Sequence, residues 1–177
     1  MSFAIDSLKY AMRYILYRYT FTKRKTTHVK MKKELIAKKD IRINASPAKV
    51  WSVITNNESI SIFMMGMKPV TDWKVGGEMN WIGRHQDQEQ NMAKGKLESF
   101  VVNEKIQYSF FFPGYGHADI PEHYQTIIME LEKVSNNVTM LHTEQGDFSV
   151  FEEGETYLQH AQDFWNQAVI KIKALSE

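Results

Sequence analysis

A histidine and a glutamate two residues apart on one strand could carry out proton transfer, and His142 and Glu144 have that spacing. Alternation along a strand puts both on one face, where a carboxylate can orient an imidazole for acid–base work. Tyr108 completes the candidate set for a cyclase, hydratase or hydrolase. His142 and Glu144 lie near a strand end, where solvated positions are common, so a polar rim is the plainer reading and no catalytic residue is assigned. The six histidines (His28, His85, His117, His123, His142, His160) form no compact ligand set such as two histidines one helical turn apart beside a carboxylate, so no metal is expected. The absence of cysteine removes disulfides, thiolate ligands and cysteine nucleophiles together, and fits a reducing cytoplasm. Gly114-Tyr115-Gly116 lacks the continuation of a phosphate-binding loop, and no nucleotide or other cofactor is expected.

Binding offers a stronger case than catalysis. Strand parity places Ile106, Tyr108, Phe110 and Phe112 on one face, Gln125, Ile127, Met129 and Leu131 beside them, and Val138, Met140, His142 and Glu144 on the last strand. Trp81 and Phe100 extend the wall, and Tyr157, His160 and Phe164 flank it from the terminal helix. The candidate ligand-binding set is therefore Trp81, Phe100, Tyr108, Phe110, Gln125, Met129, His142, Glu144, Tyr157 and Phe164. About 200 Å² of apolar contact on such a wall is worth roughly 5 kcal/mol before association costs, enough for micromolar recognition at most. The competing reading is a packed core, since aromatic side chains at strand alternation usually are core. Tyr108, Gln125, His142 and Glu144 weigh the other way, because a buried polar group needs a partner.

The elements that would position these residues follow from periodicity and punctuation. A first strand spans residues 33–44; Ser46-Pro47 then starts a helix carrying Val50, Trp51 and Ile54, with a hydroxyl cap followed by proline at the first helical position. A second helical piece over residues 58–64 is unusually apolar for a connection. Six further strands are expected near 68–73, 78–84, 92–102, 105–112, 123–134 and 137–145, with Gly76-Gly77 and Asn136-Asn137 able to supply positive φ in turns. The wholly polar stretch 84–91 reads as a solvated loop, and 113–122 as a longer loop able to move. Residues 153–175 form a long amphipathic helix with Leu158, Ala161, Trp165, Ala168, Val169, Ile172 and Leu175 on one stripe, which must lie across the sheet to bury its inner face. The expected class is α+β.

Length and charge set the outer limits. The chain of 177 residues, 43% apolar and 24% charged, fits one domain with a decorated end. Residues 1–30 hold seven basic side chains against Asp6, a charge of +6, so with +1 overall the rest carries −5. This basic segment has an amphipathic helical pattern over residues 4–19. Docking on the body or on a second copy is the first reading, contact with an anionic membrane surface is a weaker one, and Met31 as the native start a third. Nucleic acid is not expected, since the body does not interleave aromatic and basic residues along a strand.

The order of these pieces carries a resemblance. Ile41-Arg42-Ile43-Asn44-Ala45-Ser46-Pro47 with Val50-Trp51, the Trp73-Lys74-Val75-Gly76-Gly77 turn, Gly95-Lys96-Leu97-Glu98, Val138 to His142, and Phe164-Trp165 with Ala168, Ile172 and Leu175 resemble the heat-shock protein 90 ATPase activator-like (AHSA-type) branch of the START-like, or SRPBCC, superfamily. The resemblance covers residues 31–177. It implies a helix-grip fold: a curved antiparallel sheet of about seven strands around the long C-terminal helix, with a cavity between them. The family pattern has glycine where this chain has Phe164, which implies a reshaped pocket. Superfamily members hold lipids, sterols or hormones there, and the eukaryotic namesake acts on a chaperone. The leading expectation is non-enzymatic binding of a small hydrophobic or amphipathic ligand, with a chaperone or other protein as the alternative partner. An enclosed space of about 300 Å³ or more would favour the ligand.

Overall fold

The computed structural model describes residues 33–86 and 88–177. The helix expected over residues 4–19 and the proposed Met31 boundary lie outside the described residues. The elements run β1 (Ala37–Ile43), α1 (Pro47–Thr55), α2 (Asn57–Phe63), β2 (Lys68–Val70), β3 (Glu78–His85), β4 (Gln88–Val101), β5 (Lys105–Phe110), β6 (Gln125–Ser135), β7 (Val138–Gly146) and α3 (Gly154–Ser176).

Local chemistry starts the two short helices. The Ser46 hydroxyl accepts from the Lys49 amide at 3.3 Å and Pro47 fills the first turn of α1. Asn56 then ends α1 and begins α2, its side-chain oxygen accepting from the Ser59 amide at 2.9 Å. The seven strands form one antiparallel, curved sheet in the order β1-β7-β6-β5-β4-β3-β2. The ladder slips between Trp81 and Ile82, between Leu97 and Ser99, and between Lys133 and Ser135, and such irregularities bend strands. The long helix α3 lies on the inner face, burying Ala161, Trp165, Ala168, Val169 and Ile172, while Leu158 and Leu175 are half-buried at the edges of the stripe. This is the helix-grip architecture.

Three expectations needed correction. Residues 84–91 are not a loop: β3 and β4 continue through them, pairing His85 with Gln88 around a turn at Gln86, whose φ is 49°. Both faces of that ribbon are polar, so no apolar alternation marked it. Positive φ occurs at Gly76 and at Asn103, in the β4–β5 turn, but at neither Asn136 nor Asn137. The third correction concerns β7. Its inward residues are Thr139, Leu141, Thr143 and Gln145, so Val138, Met140, His142 and Glu144 point to the outer face. The apolar Val138 and Met140 misled the parity, because the inward polar residues find partners. Thr139 donates to the Ala45 carbonyl at 2.8 Å and Thr143 to the Lys39 carbonyl at 3.0 Å.

Candidate functional site

Near one end of the sheet a half-open pocket of about 210 Å³ lies between the inner face and α3. Phe110 of β5, Ile127 of β6 and Gln145 of β7 form its floor, and Ala161, His160 and Phe164 of α3 its opposite wall. The third side is Met64, Met65 and Met67, from the segment joining α2 to β2. Met65 turns the chain with φ 51°, beside Gly66 at 90°. Phe112 and Tyr115 close the last side from the loop after β5. Methionine suits such a wall because its unbranched, polarisable side chain adapts to irregular shapes.

The pocket's loop is tied by aromatic contacts to α3 and to the segment just before it. Tyr115 stacks on Tyr157 at 4.4 Å between ring centroids, and His117 stacks on Phe151 at 4.5 Å. The Nε2 of His117 lies 3.0 Å from the Tyr157 hydroxyl, and His123 Nδ1 lies 2.7 Å from the Ala118 carbonyl. Partial burial, reinforced by Tyr157, pushes the Tyr115 phenol up from the usual tyrosine value, so it is a neutral hydrogen-bonding group at the mouth. A loop that sequence alone suggested could move is thus tethered at Tyr115, His117 and His123.

Deeper in the sheet, three buried polar atoms have no hydrogen-bond partner among the described residues: Trp81 Nε1, the Tyr108 hydroxyl and Gln125 Oε1. They surround Phe110. Trp81 sits 5.6 Å from Tyr108 and 6.1 Å from Phe110 by ring centroid, and Gln125 faces Phe110 across the β5–β6 ladder. Burial pushes the Tyr108 phenol well above the ordinary tyrosine range, so it is held neutral. Gln125 donates from Nε2 to the His123 carbonyl at 2.8 Å, leaving its oxygen unmatched. Unpaired buried groups of this kind carry a desolvation cost that water or a ligand can relieve.

Of the ten residues nominated from sequence, the structure brings Phe110 and Phe164 to the pocket. It puts Trp81, Tyr108, Gln125 and Met129 in the adjoining interior. Phe100 is elsewhere in the core, packed against Trp51 at 5.0 Å and Trp73 at 5.2 Å. Tyr157 holds the loop rather than the pocket. His142 and Glu144 must be withdrawn as pocket residues. His142 is bound on the outer face between Asp40 (Nδ1, 2.9 Å) and Glu132 (Nε2, 3.3 Å), while Glu144 takes Lys38 at 2.6 Å. The sheet therefore separates them from Tyr108, and the three cannot act on one substrate. Sequence reasoning missed Gln145, whose parity was inverted, and the methionine wall, whose only signal was the apolar character of the α2 region.

A larger groove of about 810 Å³ crosses the opposite face, among Glu78, Lys94, Lys96, Glu98 and Asp119. Ion pairing of Lys94 with Asp119 and a 3.0 Å bond from Gln107 to Glu98 occupy much of its polar surface. Its charges are of both signs and lie at the surface, with Lys94 and Asp119 paired to each other, and the smaller apolar pocket is the better candidate. Among the described residues no cluster of histidines and carboxylates could hold a metal ion, and no helix is long and apolar enough to cross a membrane.

Comparison with known proteins agrees with this geometry. The family model for Activator of Hsp90 ATPase homolog 1-like protein matches residues 44–177, which includes α3 and every strand but β1. The chain belongs to that family. Within the wider START-like superfamily, a protein of Cytophaga hutchinsonii solved in solution shares 31% identity over 81% of this chain and 94% of its own, with a TM-score of 0.66. An HSP90 activator from Plasmodium falciparum is similar at 16% identity, over 79% of this chain and 94% of that one, with a TM-score of 0.60. The Aha1 dimer from Colwellia psychrerythraea gives 18% identity, 80% and 96% coverage and a TM-score of 0.59. No curated protein matches this sequence. The ring of Phe164 forms part of the pocket wall.

Proposed function

We propose that the chain binds a small hydrophobic or amphipathic molecule in the pocket between sheet and α3, without catalysing a reaction on it. The supporting observation is an opening of about 210 Å³, lined mainly by apolar side chains, between the sheet and α3. The space is half-open and smaller than the enclosed ~300 Å³ set above as favouring a ligand, so the reading rests on the apolar lining and any occupant is correspondingly small. Residues 31–177 act as the binding domain of a cytoplasmic protein, with the basic residues 1–30 as an extension to it. Native mass spectrometry after gentle purification tests the reading: a bound small molecule that leaves on denaturation supports it. A homogeneous, ligand-free protein that displaces no apolar probe counts against it.

A second reading follows from the family. The matching model is named for activation of the Hsp90 ATPase, and a structural neighbour is itself described as an HSP90 activator. On that reading the chain docks on a chaperone and changes its ATP turnover. Co-purification with the chaperone and stimulation of its ATPase would support it, and the absence of both would remove it.

A further inference from the structure

The floor of the pocket contains one polar group whose orientation is fixed from behind. Gln145 is 8% exposed and lines the cavity, and its Oε1 accepts a 3.0 Å hydrogen bond from Trp165 Nε1. An indole nitrogen can only donate, so this bond settles the amide orientation: the oxygen turns to Trp165 and the NH₂ group is left over. Among the described residues that NH₂ has no hydrogen-bond partner. Trp165 is 1% exposed on the buried stripe of α3, so the tryptophan that locks the amide is itself immobilised by packing.

The other polar side chains at the cavity are Tyr115 and His160, near its opening, and no carboxylate or lysine lines it. A buried anion would find one neutral donor and no countercharge at the floor, the one side chain able to carry positive charge, His160, lying near the opening, which makes desolvating the anion there unfavourable. An uncharged acceptor meets the unpaired N–H without that cost. At about 30 Å³ per water the cavity has room for about seven waters, or a compact molecule of roughly eight to ten non-hydrogen atoms.

The geometry points to a ligand class: a small, uncharged, largely apolar molecule with a carbonyl-type hydrogen-bond acceptor at its inner end, received by the side-chain NH₂ of Gln145 that Trp165 holds in place. This rests on the pocket being a ligand site, as proposed above, and adds what the site selects. Trp165 is a positioning residue and Gln145 the recognition residue.

Acetophenone and ethylbenzene test it, being nearly the same shape and differing in the acceptor. Both are titrated into the full-length protein and followed by amide chemical shifts, with Gln145→Met and Trp165→Phe as variants. In the wild type, acetophenone should move the Gln145 side-chain NH₂ resonances and ethylbenzene should not. The ratio of the two dissociation constants should shift by about fivefold against acetophenone in Gln145→Met, the value of one ordinary hydrogen bond. A smaller shift in the same direction is expected in Trp165→Phe. If both probes bind the pocket but the ratio stays the same and the NH₂ resonances do not move, the acceptor preference is wrong while the ligand site stands. If neither probe perturbs the pocket residues, the ligand reading and this inference fall together. The wild-type resonances decide the matter even if neither variant folds.

Discussion

Filling the pocket from α3 should abolish ligand binding without harming the fold. Ala161 is 6% exposed and lines the cavity, so a longer side chain at that position grows into the open space. Ala161→Leu adds three non-hydrogen atoms. At the roughly 30 Å³ that a water-sized group occupies, these take up about 90 Å³. Set against the 210 Å³ available, that leaves little more than half, too little for a molecule of the size of acetophenone. The added atoms bury about three methylene equivalents, at most ~2.4 kcal/mol, less up to ~1 kcal/mol of lost rotamer freedom. Urea denaturation should therefore show stability unchanged or raised by up to about 1.5 kcal/mol. Acetophenone affinity, read by the same amide titration, should fall at least tenfold. A variant that is folded, of unchanged stability and equally able to bind the probe would refute the assignment of this pocket. A loss of more than about 2 kcal/mol would instead show that the space is not open, since overpacking a filled core costs that much.

Three further outcomes follow from the geometry. His142 is raised above its ordinary value of 6.5, chiefly by its bond to Asp40 and secondarily by Glu132, so its contribution is complete below about pH 6.5 and is lost as pH rises through the folded value. On this exposed face it amounts to less than about 1 kcal/mol, and His142→Asn should flatten that part of the stability–pH curve; an unchanged slope would assign the dependence elsewhere. In Gly95→Ala the new Cβ would lie 1.7 Å from the Ser109 carbonyl oxygen, between strands held by reciprocal Lys94–Phe111 bonds of 3.0 and 2.8 Å. A loss of about 3 kcal/mol or more is expected in urea, and under 1 kcal/mol would contradict so close an approach. Tyr157→Phe removes the hydroxyl 3.0 Å from His117 but keeps the ring stacks, so hydrogen exchange at the Gly116 amide, bonded to the Pro113 carbonyl at 2.9 Å, should speed up by about fivefold; unchanged exchange would mean the stacks alone hold the loop.

The sequence by itself determined the order of elements, the α+β class and the stripe of α3, because each rests on local signals. The Ser46-Pro47 start, the alternation from Ile106 to Phe110 and the helical spacing of Ala161, Trp165, Ala168 and Ile172 need no distant partner to be read. Tyr108 and Phe110 accordingly face α3, as alternation required. Tertiary structure alone decided the parity of β7. There, hydrophobicity pointed to Val138 and Met140, while pairing with β1 and hydrogen bonds to the Ala45 and Lys39 carbonyls turned Thr139, Thr143 and Gln145 inward. A polar side chain satisfied by a residue some hundred positions away leaves no trace in its own neighbourhood. For the same reason the Gln145–Trp165 bond and the wall of Met64, Met65 and Met67 appeared only once the chain was folded, and with them the floor of the pocket.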